Sequence, residues 1–273
     1  MIIKKNDYKN LVNFLLEISK LACEEILKIY NTDHSHTKKF DNSPLTLADL
    51  NSNKIITENL SKNFPNIPVI SEEDKYKNKK QMHEFFLVDP LDGTKEFLKK
   101  NDEFTVNIAL IQNKKPIIGI VSLPTDKKHF YTDGFKSFVI ADGKKPKIIN
   151  SVKYSKRLRI LVSRSHLDKE TKTLLRMFND PIVKEKGSSI KLCLIAEGEG
   201  DLYIRFGNTM EWDVSAGHAI LKNAGANLYN FSFTELSYGK DKFLNSAFFA
   251  CSNSLKKEII HFLKKKLDKF EIP

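Results

Sequence analysis

Asp89 and Asp92 stand three positions apart in the stretch Phe85-Phe86-Leu87-Val88-Asp89-Pro90-Leu91-Asp92-Gly93-Thr94-Lys95-Glu96-Phe97. Four apolar residues lead in, as in a buried strand. Pro90 stiffens the bend between the two carboxylates. Gly93 lets the backbone turn sharply or come close to a ligand. Thr94 opens what reads as a short helix, Thr94 to Lys100, and the start of a helix presents free N–H groups that attract anions. One turn therefore offers two hard oxygen ligands for a cation beside a cradle for a phosphate. The chemistry that combination serves is metal-assisted attack on a phosphate ester. The plainer reading is a pair of turn residues around a proline.

Other residues acquire meaning only if that turn is chemical. Thr46 and Asp49 have capping-box spacing at the start of a helix running to about Phe64. Glu72 and Glu73 end a short strand candidate, Ile67 to Ile70, and alone read as an acidic loop. Asp213 precedes the apolar-periodic run Val214 to Asn223 and reads as its N-cap. Trp212, the only tryptophan, reads as a packing anchor, and His218, inside the same helix, as structural. Ser163-Arg164-Ser165-His166 follows a strand, and Gly187-Ser188-Ser189-Ile190-Lys191 opens a helix. Gly187 and that helix start suit a phosphate or a closely packed base, and Lys191 adds positive charge. His34 and His36 lie in a polar stretch, Asn31 to Ser43, without companion ligands, and a loop is expected there.

The motif strings together resemble the lithium-sensitive, magnesium-dependent phosphatases related to inositol monophosphatase. The tail Asp92-Gly93-Thr94-Lys95-Glu96-Phe97 is similar to one branch, the bacterial 3′(2′),5′-bisphosphate nucleotidases. The resemblance spans nearly the whole chain. It implies an α/β fold, the layered α/β/α/β/α sandwich of the inositol phosphatase type. It implies that Glu72, Asp89, the Leu91 carbonyl, Asp92 and Asp213 hold two or three Mg2+ ions, with Asp89 bridging. Glu73 would be a nearby acid. Thr94, oriented by Asp49, would position or deprotonate the attacking water, and Glu72 would share in that catalysis. Gly93 and Thr94 would hold the phosphate, and Ser163, His166, Gly187 and Lys191 would form the nucleotide pocket. The implied reaction converts 3′-phosphoadenosine 5′-phosphate to AMP and phosphate, and the alternative is an inositol or fructose bisphosphate phosphatase. Leu244-Asn245-Ser246 departs from relatives that carry proline after Leu-Asn, which puts a local turn in doubt.

The 273 residues are 41% hydrophobic and 29% charged, ordinary for a folded domain. No apolar run approaches the roughly 18 residues of a membrane span, and the N-terminus lacks a signal-peptide core, so a cytoplasmic location is expected. Cys23, Cys193 and Cys251 are far apart in apolar contexts and read as buried thiols. The net charge of +11 could serve nucleic acid, a membrane face or, equally, the steering of a small polyanion. It also leaves a peripheral contact with the inner membrane face open, but no nucleic-acid recognition motif accompanies it. Oligomeric state is not legible.

The positioning elements follow from periodicity. Asp7 to Tyr30 reads as a helix with Leu11, Phe14, Leu15, Ile18, Leu21, Ala22, Ile26 and Ile29 in one stripe. Phe104 to Gln112, Pro116 to Leu123, His129 to Thr132 and Phe138 to Ile140 read as antiparallel strands. A boundary is placed in Lys144 to Lys156. This gives an N-terminal α+β subdomain, 1–150, carrying most metal ligands, and a C-terminal α/β subdomain, 151–273, carrying Asp213 and the nucleotide pocket. The second half alternates strands (Leu158 to Val162, Leu202 to Phe206, Ala226 to Tyr229, Ala247 to Cys251) with helices (Asp168 to Phe178, Ile190 to Ala196, Val214 to Asn223, and one from Ser254), a pattern of helices packed on a sheet.

Overall fold

The computed structural model describes residues 2–32, 36–38, 44–74, 82–152 and 157–267; His34 and part of the expected boundary segment lie outside them. The first helix, α1 (Tyr8–Tyr30), turns Leu11, Leu15, Ile18, Ala22 and Ile26 into the core. Leu21 does not belong to that stripe. It is 45% exposed, because helical rotation carries it to the side away from Ala22 and Ile26. Where polar composition predicts a loop, β1 (His36–Lys38) and β2 (Pro44–Thr46) pair antiparallel. Backbone groups satisfy one another there whatever the side chains. Helix α2 (Leu47–Asn63) follows, with Thr46 as its N-cap.

A seven-stranded sheet comes next. Its strands are β3 (Val69–Ser71), β4 (Glu84–Asp92), β5 (Thr105–Gln112), β6 (Lys115–Leu123), β7 (Lys128–Thr132), β8 (Ser137–Ala141) and β9 (Lys147–Ile149), adjacent in chain order. β3 lies parallel to β4 and every other pair is antiparallel. A short helix, α3 (Thr94–Leu98), follows β4. It stops before Lys100, which takes a positive φ of 56°.

The second sheet holds β10 (Arg159–Ser163), β11 (Ile182–Lys186), β12 (Leu202–Arg205), β14 (Ala226–Asn230) and β16 (Phe248–Ser252), in the order β11-β10-β12-β16-β14. β11 has no counterpart among the sequence-predicted strands. It is a short, charged edge strand, Ile-Val-Lys-Glu-Lys, and edges tolerate charge because one side faces water. Its parallel register with β10 sets Ser163 opposite Lys186. Two further strands, β13 (Thr209–Met210) and β15 (Leu244–Asn245), form a two-stranded ladder. Leu244 and Asn245, just before the Ser246 that replaces the expected proline, therefore lie in paired backbone.

The remaining helices are α4 (Lys169–Leu175), α5 (Ile190–Ala196), α6 (Glu211–Asn223) and α7 (Lys256–Leu267). Three buried clusters define the layers. Helices α1 and α2 pack on one face of the first sheet through Phe86, Val88, Ile108 and Ile120. The opposite face, with Phe85, Leu87 and Val121, packs against α5, α6 and the second sheet's Tyr203, Leu228, Phe248 and Ala250. The outer face of the second sheet, with Ile160, Val162, Ile204 and Phe249, carries α4 and α7. The architecture is thus α/β/α/β/α, as expected. Among the described residues no helix is long and apolar enough to cross a membrane.

The central helix α6 sits hard against β6. A Cβ built at Gly119 would lie 2.2 Å from the Ala216 carbonyl oxygen and 2.9 Å from the carbonyl carbon and Cα of the same residue. These are backbone atoms of a buried helix and cannot swing aside. Gly119→Ala is expected to cost about 2–3 kcal/mol by overpacking, read as a lowered urea midpoint at unchanged slope. An unchanged midpoint would contradict the close approach.

Candidate active site

The acid turn sits at the end of β4, the second strand of its sheet. Asp89 is 1% exposed, and its Oδ1 accepts the Leu91 N–H at 3.1 Å, so the side chain is fixed by the bend that follows it. The Glu72 N–H donates to the Val88 carbonyl at 3.1 Å. The parallel pairing of β3 with β4 thereby brings Glu72 alongside Asp89. Asp213 arrives from the other half of the chain on α6. The expected N-cap role is displaced by three residues. The helix starts at Glu211, and Asp213 accepts the Met210 N–H at 2.8 Å. An acid at the third helical position closes the turn from inside, a job that looks like an N-cap when only the apolar run is visible.

Glu72, Asp89 and Asp213 each offer one carboxylate oxygen, and these oxygens lie within 4.8 Å of one another. Asp92 lines the same cleft but stands beside this trio. Its Oδ2 accepts the Ser189 N–H at 2.6 Å and an Asn107 Nδ2–H at 3.4 Å. Burial pushes Asp92 up to about 6, against the pull of Lys191 and with a further push from Glu72. Burial, then Asp92 and Glu72, raise Asp213 well above the ordinary carboxylate range. Like charges held together in a dry site create that penalty, and a divalent cation relieves it. The donors are all oxygens, with no Cys or His among them, so they fit a hard cation.

Asp49 is fully buried and divides its two oxygens. Oδ2 accepts from the Thr46 N–H (2.8 Å) and the Thr46 hydroxyl (2.6 Å), completing the capping box; Oδ1 accepts the Thr94 hydroxyl at 3.1 Å. One side chain thus both caps α2 and holds the Thr94 hydroxyl. Gly93 adopts φ +93°, and an added Cβ would stand 3.1 Å from the Glu103 carbonyl oxygen. Only glycine holds that turn without strain.

The opposite wall comes from the second half. A cleft of about 510 Å3 is lined by Glu72, Asp89, Leu91, Asp92, Gly93, Thr94 and Asp213 on one side, and by Ser163, His166, Lys191, Tyr203 and Arg205 on the other. Ser163 Oγ accepts the His166 N–H at 3.2 Å. His166 Nε2 lies 3.4 Å from Lys95 Nζ. Burial, then Lys95 and Arg205, lower its pKa. The Arg205 guanidinium donates to the carbonyls of His166, Gly207 and Asn208. The Lys191 ammonium is buried, donates to the carbonyls of Lys186 (3.0 Å) and Ser188 (2.5 Å), and is lowered by burial to about 8 despite Asp92. Gly187 stands apart from the cleft wall. Its N–H goes to Glu103 at 2.8 Å, and a Cβ there would meet the Glu103 carbonyl oxygen at 2.7 Å. It is a close-packing glycine in this structure.

Several residues of the site escaped sequence reasoning. Thr105, Asn107 and Ser189 form a buried relay: Thr105 Oγ1 and Ser189 Oγ are 2.8 Å apart, and Ser189 donates to Asn107 Oδ1 at 2.7 Å. A signal existed in Thr105 and Asn107, two polar residues at alternate positions of an otherwise apolar strand. Tyr203, on the cleft wall, gave none.

A model described as the inositol monophosphatase family matches residues 7–267. The 3′(2′),5′-bisphosphate nucleotidase CysQ of Salmonella typhimurium is 39% identical over 237 residues, 85% of this chain and 96% of that one. The Buchnera aphidicola protein of the same name is 38% identical over 255 residues, 90% and 95% of the two chains. The crystal structure of CysQ from Bacteroides thetaiotaomicron superposes with a TM-score of 0.76 at 34% identity, covering 88% of this chain and 97% of the other. A Thermotoga maritima IMPase shares the fold, with a TM-score of 0.79 at 19% identity over 95% of this chain and 99% of that one. By its layered architecture, its acid cluster and these likenesses, the chain belongs to the inositol monophosphatase family.

Proposed function

We propose that this chain is a magnesium-dependent 3′(2′),5′-bisphosphate nucleotidase that removes the 3′-phosphate of 3′-phosphoadenosine 5′-phosphate. The products are AMP and phosphate. The observation that carries the reading is the pairing, across one cleft, of an all-oxygen acid cluster with a wall bearing His166, Lys191 and Arg205. The likeness to named nucleotidases supports it.

Glu72, Asp89, Asp92, Asp213 and the Leu91 carbonyl would hold two or three Mg2+ ions. When bound, these supply an activated water near neutral pH and stabilise the leaving oxygen. The chain's own part begins with Asp49, which fixes the Thr94 hydroxyl and aims it into the cleft. Thr94 positions the attacking water and hands its proton toward Asp49. The N–H groups of Gly93 and Thr94 face the transferring phosphoryl oxygens, where developing charge is best met by fixed donors. Lys95, beside Thr94, and Arg205, on the far wall, are cationic groups that suit the second phosphate and draw a polyanion in, with the neutral His166 ring between them. The proposal includes a cytoplasmic location and a small-molecule nucleotide as the partner.

Phosphate release tests this. 3′-Phosphoadenosine 5′-phosphate is compared with inositol 1-phosphate and fructose 1,6-bisphosphate, with and without magnesium. The nucleotide is expected to be turned over with kcat/KM at least about a hundredfold above either sugar phosphate, and only with magnesium. Preference for a sugar phosphate would discard the pocket assignment while keeping the acid chemistry. Turnover without magnesium would discard the metal.

A further inference from the structure

We propose that Glu103 is the specificity-determining positioning residue of this cleft, fastening the two loops of the nucleotide wall onto the half that carries the acid cluster. This inference rests on the nucleotidase reading for what the wall binds, but not for how the wall is held.

Glu103 lies in the connection between α3 and β5 and is 9% exposed. It does not line the cleft. Its carboxylate reaches across to donors of the second half. Arg164 grips it with both forks, Nε to Oε2 at 2.7 Å and Nη2 to Oε1 at 3.0 Å. Lys186 Nζ donates to Oε1 at 2.9 Å, and the Gly187 N–H donates to Oε2 at 2.8 Å. Four charge-assisted donors on one carboxylate form a geometrically specific clamp. Burial alone would raise its pKa; these partners outweigh burial and hold it down at about 2. The carboxylate stays charged at any working pH.

The clamp joins two segments distant in sequence. Arg164 belongs to the loop after β10, between Ser163 and His166. Lys186 and Gly187 end β11 and lead to Ser188, Ser189 and Lys191. The Arg164 N–H also donates to the Lys186 carbonyl at 3.1 Å and its guanidinium to the Glu185 carbonyl at 3.1 Å, so the two loops move together or not at all. The carbonyls of Lys186 and Ser188 are the ones that seat the Lys191 ammonium. Displacing the 186–188 turn unseats that cation. A second fastener runs parallel, from the Ser165 hydroxyl to the buried Glu96 carboxylate. Gly187 is required because a Cβ would meet the Glu103 Cβ at 2.9 Å and the Glu96 Cγ at 2.8 Å. The glycine of the Gly-x-x-x-Lys pattern thus serves Glu103.

A bisphosphate nucleotide touches both walls, whereas a small phosphomonoester needs only the acid cluster, Gly93 and Thr94. Kinetics of Glu103→Ala and Glu103→Gln on 3′-phosphoadenosine 5′-phosphate and on p-nitrophenyl phosphate separate the two. For Glu103→Ala we expect KM for the nucleotide to rise about tenfold or more with a smaller change in kcat, and kcat/KM for p-nitrophenyl phosphate to stay within about twofold. Glu103→Gln, which keeps an acceptor for Gly187 but loses the charge, is expected to fall between. Hydrogen exchange should quicken in 163–166 and 186–188 and not in α1 or α2. If Glu103→Ala fails to fold, Glu103→Gln and Arg164→Met carry the same comparison from the half-exposed side. Equal losses on both substrates, or unchanged nucleotide KM with unchanged exchange, would overturn the role of Glu103. A wild type with no preference for the nucleotide overturns the nucleotidase reading and the specificity claim with it, while unchanged exchange in a nucleotide-preferring enzyme overturns Glu103 alone.

Discussion

Asp89→Asn or Asp213→Asn is expected to lower kcat by about a thousandfold or more, which corresponds to a loss of about 4 kcal/mol of transition-state stabilisation. Neither change removes packing. Asn is isosteric with Asp, and an Asn oxygen can still accept the Leu91 N–H at position 89 and the Met210 N–H at position 213. What disappears is one of three charges whose oxygens converge within 4.8 Å. The pattern that identifies a metal site is inactivity without damage. In the metal-free protein each variant should be no less stable than wild type, because a mutual repulsion has been relieved. Saturating magnesium should stabilise wild type more than either variant, through the linkage of binding to folding. Circular dichroism, urea midpoints and steady-state assays at saturating magnesium measure all of this. Near-normal kcat in either variant would sink the assignment of the acid cluster.

The second large effect is on stability and concerns two histidines outside the cleft. His129 and His218 are both held neutral. Burial, then Lys20, lowers His129 to about 4, with its Nδ1 within 2.7 Å of Ser122 Oγ. Burial lowers His218 to about 4, against Asn227 and Glu235, and its ring nitrogens meet Tyr238 Oη at 2.8 Å and Asn227 Oδ1 at 2.6 Å. In the unfolded chain both titrate at about 6.5. Between these values the unfolded state binds more protons than the native one, so stability rises with pH there and falls on acidification. The contribution is complete above about 6.5 and is lost as pH falls toward 4, amounting to about 2 kcal/mol per histidine at pH 5. Urea unfolding in saturating magnesium should therefore lose about 4 kcal/mol between pH 7 and pH 5. The double variant H129Q/H218Q should flatten the profile. A wild-type profile already flat over that range would refute the account.

What was legible in the chain was what is local. The Asp89–Gly93 turn, the Thr46–Asp49 box and most of the helices and strands each occupy a few consecutive residues with a physical period or spacing, whereas their layering was implied by the family resemblance. What was hidden is what the fold brings together from afar. Glu103 is an ordinary acid before a strand until Arg164, Lys186 and Gly187 arrive from more than sixty residues away. Gly187 looked like a ligand-contacting glycine because close approach to a carboxylate and close approach to a phosphate demand the same residue. β11 was missed because an edge strand need not be apolar. Asp213 was placed at the right end of the right helix but three residues off, since cap and third-position acids precede the same apolar run.

Asp49 has a consequence of another kind. One of its oxygens closes the first turn of α2 and the other orients Thr94. Fraying that single turn, an opening far smaller than global unfolding, releases the Thr94 hydroxyl from its guide. With Thr94 in the role proposed for it, catalytic readiness would be a local equilibrium at a helix end. It can be tuned, by anything that tightens or loosens the segment entering α2, without altering the melting point of the whole molecule.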